Sequence, residues 1–269
     1  MNAPRSCRAF VLVWLSIAVA GPAPGETYRD AYGRYKAALI AGDIETALLY
    51  ARKGHGLAVE SLGPNAAQTG VLAYNIGAVS YRLKRFRDAY TPLQEAVSTY
   101  AKTHGADSPK NILPLRKLAD TCAALEKWSE AERHAVRAME IIEGERGRSD
   151  PEVTEILMDL IHLARSLEQP NRMRGYSLRA LANLRKSGEP DALDIGHVHV
   201  SLATAEMLRG EASATNKSLD RALEIYELRL APDDASLLSL YSFAADAFEQ
   251  TGRPRAARKY RRRLKEAQP

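Results

Sequence analysis

Thiols are scarce in this sequence: its 269 residues include two cysteines, Cys7 and Cys122. Cys7 falls in an N-terminal segment that reads as a cleaved leader, so the mature chain keeps one thiol, has no intramolecular disulfide, and must be held by packing. Catalytic signatures are missing too. There is no glycine-rich phosphate loop, no Gly-x-Ser-x-Gly elbow and no His-Glu-x-x-His, which removes the commonest routes to nucleotide, acyl-transfer and zinc chemistry. The six histidines, at positions 55, 104, 134, 162, 197 and 199, never fall four apart, the spacing with which one helix offers two ligands to a metal. No catalytic residue, metal site or cofactor is therefore expected. The imbalance of charge is also small, +5 overall and +3 once Arg5 and Arg8 are removed, too little to argue for nucleic acid.

Long apolar runs are lacking, with one short exception at the N-terminus. Arg5 and Arg8 lead into "AFVLVWLSIAVA", which closes on the small-x-small triplet Ala18-Val19-Ala20. A bilayer core needs about 20 apolar residues, and this run stops short of that at "GPAPG". Residues 1–20 thus read as a secretory signal peptide cleaved near Ala20, with retention as an anchor the alternative. Residues 21–27 form a short linker, and the chain is expected to be exported to the periplasm.

What the rest of the sequence has is a period. Steps of 42 residues from Ala89 reach Ala47, Ala131, Met173, Thr215 and Ala257. The same steps from Ala96 reach Gly54, Ala138, Ala180, Ala222 and Leu264, so five of six residues in that column are alanine or glycine. Ile76, Leu118, Leu160 and Leu202 share another phase, and Gly63, Gly105 and Gly147 a third. Within each unit the apolar residues follow three-and-four spacing, with no period-two stretch long enough for a strand. Each unit is a helical hairpin. In the clearest one, helix A is predicted over 70–84 and helix B over 87–103. Small residues at Gly77, Ala89 and Ala96 let helices cross closely, and Phe86 fills space under the turn. Trp128, its counterpart one unit later, is expected to be shielded. Links such as "LGPNA", "HGADSP", "RGRSDP", "SGEPDA" and "LAPDDA" stop one hairpin and start the next. Frames near 28, 70, 112, 154, 196 and 238 make one domain of residues 28–269.

The string "NIGAVSYRLKRFRDAYTPLQEAV" resembles a tetratricopeptide repeat, and the 42-residue spacing with its "LGPN" link is similar to the kinesin-light-chain type. The resemblance covers residues 28–269 and is strongest in the second and third units, where "KWSEAERHAVRAMEI" also fits. Pro170, Pro254, Met173 and Thr215 depart from the pattern. It implies an all-α, right-handed superhelical solenoid of about six hairpins that binds a protein or peptide and does no catalysis. In eukaryotic kinesin light chains, asparagines on successive A helices hold a cargo peptide. Here that column reads Gly33, Asn75, Lys117, Asp159, Ser201 and Phe243, so only Asn75 matches.

Projected onto the repeat frame, the inner face carries Arg29, Tyr32 and Lys36 in the first unit and Tyr74, Asn75, Tyr81 and Arg82 in the second. Arg116 and Lys117 continue the row, and Glu155, Asp159, His162, Arg165, Asp246 and Glu249 follow. This predicts a groove that is basic and rich in tyrosine at its start and acidic towards its end, suited to peptide. The last helix is strongly basic, and Arg255, Arg258, Lys259 and Arg262 are the candidates for contact with an anionic lipid surface. A polar cap on the final hairpin is the plainer reading.

Overall fold

The computed structural model describes residues 25–187 and 192–267. The expected leader, most of the linker after it and the centre of the "SGEPDA" link lie outside the described residues. Twelve α-helices occupy the rest: α1 (Tyr28–Ile40), α2 (Ile44–Leu62), α3 (Ala67–Arg82), α4 (Phe86–His104), α5 (Ile112–Ala124), α6 (Trp128–Arg146), α7 (Pro151–Ser166), α8 (Pro170–Leu184), α9 (Leu193–Leu208), α10 (Ala212–Arg229), α11 (Ala235–Gln250) and α12 (Pro254–Glu266). The hairpin predicted from 70–84 and 87–103 is therefore α3 and α4. The even-numbered helices begin at 44, 86, 128, 170, 212 and 254, a spacing of 42 throughout.

Local chemistry starts and stops these helices. Thr27 and Asp30 form a capping box on α1, and Asp43, Asp150 and Asp234 each accept from a backbone N–H in the first turn of α2, α7 and α11. Proline occupies the first position of α7, α8 and α12, where no partner for its missing N–H is needed. The departures at Pro170 and Pro254 thus fall where a helix tolerates them. Between the helices of each hairpin, one residue turns to the left-handed region: Gly42, Lys84, Glu126, Glu168, Gly210 and Gly252. The N–H of the following residue then reaches back five residues, as in Arg85 to the Ser80 carbonyl (2.9 Å) and Lys127 to that of Cys122 (2.8 Å), which is how a Schellman turn satisfies carbonyls at a helix end.

Each helix packs on its neighbours in sequence, and α3 also meets α5. The result is a solenoid with its core strung along the row rather than gathered at one centre. The small-residue column lies inside it: Ala96, Ala138, Ala180 and Ala222 are wholly buried. At Gly77 of α3 an added Cβ would come within 2.3 Å of Leu93 Cγ on α4, so a hydrogen is all the crossing admits. Phe86 and Trp128 are half-buried, and Phe86 lies 5.3 Å from Tyr81. The expectation that Trp128 is shielded is met in part, because this residue opens α6 at the edge of the hairpin.

Polar links repeat along the helix-B row. Arg85 forks onto Glu45 at 2.8 Å, Tyr90 donates to Glu130 at 2.6 Å, His55 meets Glu95 at 2.7 Å, and Arg172 pairs with Glu132. Each joins residues 40 apart, so neighbouring B helices share one register. Of these the exposed Arg85–Glu45 pair contributes about 0–1 kcal/mol; apolar burial carries the stability.

Candidate binding groove

The inner-face candidates divide once the A helices α1, α3, α5 and α7 stand side by side. On α1, Tyr32 stacks on Tyr35 with centroids 5.7 Å apart, and Lys36 lies over Tyr32 at 5.0 Å. Arg29 is exposed beside Tyr28, 5.6 Å from its ring. On α3, Tyr74 is half-buried, and burial raises its phenol above the usual range, partly offset by Lys117. Tyr81 sits beneath Lys117 at 4.6 Å, while Arg82 is exposed. Asn75, the residue matching the peptide-holding column, is 9% exposed and its Nδ2 has no hydrogen-bond partner.

The two cations of α5 are already engaged. Lys117 donates to Asp120 at 2.9 Å. Arg116 reaches across to α7, where Glu152 accepts at 2.7 Å and Glu155 at 3.1 Å. The basic stretch expected at positions 116 and 117 is therefore locally neutralised, Arg116 by acidic residues of the next unit and Lys117 by Asp120 of its own helix. Arg165 on α7 likewise donates to Ser201 on α9 at 3.2 Å.

Between α5, α6 and α7 lies a cleft of about 170 Å³. Its floor is apolar, formed by Ala119, Ala123, Ala135, Ile156 and Leu163, and Trp128 forms a wall. Arg116, Asp120, Asp159, His162 and Ser166 supply its polar lining. The small side chains of Ala119, Ala123 and Ala135 leave the opening. Asp159 and His162 are inner-face positions of the repeat frame, and Asp120 shares the column of Lys36 and His162. The same 42-residue step would have found it. Trp128 belongs to a helix B and gave no such signal.

The electrostatics of the cleft follow from this setting. Asp159 is exposed, yet desolvation raises its carboxyl above the usual range, Asp120 adds to this, and Arg116 opposes it. His162 is exposed, yet desolvation first and then Arg165 and His197 push its pKa down. Elsewhere, Cys122 is wholly buried and its thiol is pushed up to about 11, by burial first and then by Glu130, which leaves no thiolate for chemistry near neutrality. Among the described residues no group of three His, Cys, Asp or Glu is placed to hold a metal ion, and no helix is long and apolar enough to cross a membrane.

On α12 the basic residues also divide. Arg253 pairs with Asp220 at 2.7 Å, Arg261 with Glu249 at 3.1 Å, and Arg263 with Glu227 while donating to Tyr241 at 3.0 Å. Arg262 meets Glu266 of its own helix at 3.4 Å. Arg255, Arg258 and Lys259 are exposed on the remaining face, where Lys259 lies 4.7 Å from the ring of Tyr260.

These features define a class, a solenoid of helical hairpins with a polar inner row and a cleft the size of one side chain. A family model described as "Tetratricopeptide repeat" matches residues 68–144, the stretch spanning α3 to α6. No curated protein matches the sequence. Among solved structures, BtubC (BKLC) from P. vanneervenii is similar at 15% identity and a TM-score of 0.62, over 88% of this chain and 90% of that one. A putative kinesin light chain of Podosopora anserina with nearly identical TPR-like repeats gives 15% identity and 0.60, over 76% and 97%. The apo form of RapI gives 11% and 0.58, over 89% and 97%. The chain thus has the fold of these helical-hairpin solenoids, and residues 68–144 match the tetratricopeptide-repeat model.

Proposed function

We propose that this protein is a non-catalytic scaffold that binds a protein or peptide along its row of A helices. The cleft between α5 and α7 carries this reading: a small apolar-floored opening with polar groups on its rim, part-way along the inner row, is what a partner's anchoring side chain needs. The unpaired Asn75 amide lies on the same row. The setting we propose is the bacterial cell envelope, reached by export of the mature chain; the support for this is the basic, apolar and small-x-small pattern of residues 1–20. The test is photo-crosslinking in cells, with probes at Tyr74 and His162 on the inner row and at the exposed Arg133 of α6 as control. A discrete adduct from the inner probes alone is expected. Equal faint background from all three would remove the reading.

A second reading rests on α12. Among the described residues Arg255, Arg258 and Lys259 have no acidic partner while Arg253, Arg261 and Arg263 do, so one face keeps its charge for an anionic surface. Co-sedimentation with vesicles containing phosphatidylglycerol, abolished by high salt and by charge reversal at Arg255 and Arg258, would support peripheral membrane docking. Equal recovery with neutral vesicles would remove it.

A further inference from the structure

The cleft between α5 and α7 constrains what enters it, and the inference drawn here rests on the inner-row reading above. Drug-sized ligands use pockets of about 300–1,000 Å³; this one, at about 170 Å³, has the scale of a single side chain. Its floor is hydrocarbon and its wall is Trp128, an aromatic face of the kind that attracts cations. The cation already on its rim, Arg116, is held by Glu152 and Glu155, and Lys117 beside it is held by Asp120. Asp159, also in the lining, feels Arg116 at a distance but has no salt-bridge partner among the described residues. Desolvation, Arg165 and His197 all disfavour a proton on His162, although the ring is exposed.

We infer that the cleft receives a basic side chain of the partner, lysine or arginine, with its methylene stem on the alanine floor, its charge at Asp159 and its flat or ammonium head against Trp128. Hydrocarbon, carboxylate and indole meet three separate needs of such a residue, and no neutral apolar side chain would use the carboxylate. Arginine fits better than lysine, because its planar head can stack on the indole while donating to a carboxylate.

The full chain is titrated with N-acetyl-arginine amide and, separately, with its neutral isostere N-acetyl-citrulline amide at matched ionic strength. The indole N–H resonance of Trp128, assigned by comparison with Trp128→Phe, reports occupancy. The arginine compound is expected to shift this resonance saturably, and citrulline to bind several-fold more weakly. Asp159→Asn should weaken arginine binding roughly three- to tenfold, the scale of one partly exposed charged contact, with an unchanged melting curve. Asp159→Ser provides a second test of the same carboxylate should the first variant not fold. Equal shifts from arginine and citrulline, or wild-type affinity in a folded carboxylate variant, would overturn the assignment. If that occurs while a probe at Tyr74 still captures a partner, the inner-row reading stands and the basic-side-chain assignment falls. If capture fails as well, both fall.

Discussion

At the scale of single residues, His199 is the most exposed to a test. It occupies, on α9, the place that Leu115 and Leu157 fill in the two preceding units, is 7% exposed, and has no partner for either ring nitrogen. Burial, followed by Arg185 and Arg221, pushes its pKa down to about 4. The unfolded ring titrates near 6.5, so the unfolded chain binds the extra proton first, and stability is whole above about pH 6.5 and lost as pH falls towards 4. The loss approaches the order of 3 kcal/mol. His134 and His162 shift in the same direction. His199→Leu should therefore melt higher than wild type at pH 7 and lose less stability on going to pH 4.5; parallel curves would show that this ring is not what acid acts on. Two glycines make a paired test of packing. Gly77→Ala forces a Cβ into the buried Leu93 and should cost about 1–3 kcal/mol. Gly54→Ala meets Ala31 and Leu72 at 3.4 and 3.5 Å, in a column that is alanine in the next four units, and should gain about 0.5–1 kcal/mol. Chemical denaturation reads both signs, and a shared sign would mean the helix crossings differ from those described.

At the scale of elements, the period in the sequence exposed one set of turns and concealed another. Gly63, Gly105 and Gly147 form a visible glycine column, and the structure gives the reason: each ends a helix at φ near +88°, for example 87° and ψ 149° at Gly105, a region open to glycine and very little else. The turns within the hairpins use left-handed residues equally regularly, but only Gly42, Gly210 and Gly252 are glycines, while Lys84, Glu126 and Glu168 take the same position at φ 58°, 59° and 53°. Three side chains hid that column. A non-glycine residue in this region is strained by about 1–2 kcal/mol, part of which a glycine gives back as entropy of the unfolded chain. Lys84→Gly should thus stabilise by up to about 1 kcal/mol. Gly105→Ala should destabilise by about 1–3 kcal/mol, and thermal melts of the two variants moving the same way would contradict the assigned turn geometry.

At the scale of the whole molecule, repetition explains both what could be read in advance and what could not. The helix spacing recurs every 42 residues through six hairpins and the buried alanine column through four of them, so one sequence displays each several times. The groove's electrostatics do not recur. Arg116 reads in the sequence as part of a basic row because the carboxylates that hold it, Glu152 and Glu155, lie in the next unit, and only folding brings α7 alongside α5; Lys117 is held by Asp120 of its own helix. The cleft was hidden for a similar reason, since it needs alanines from α5 and α6 and a wall from Trp128. Because each unit meets only its neighbours, stability should also be distributed unevenly. The largest buried cluster runs from Ala89 to Ile225, with the fully enclosed Ile142, Ile156, Leu157 and Leu160 at its middle, while Tyr35–Val79 and Ala203–Tyr260 form smaller clusters at either end. The outermost hairpins bury one side only, so they should open at lower free energy than the centre. Native-state hydrogen exchange is expected to show the slowest amides in α5 to α8, with protection falling towards α1 and α12. Equal protection from end to end would mean that the six hairpins open together as one cooperative unit, and that nearest-neighbour packing does not govern this solenoid.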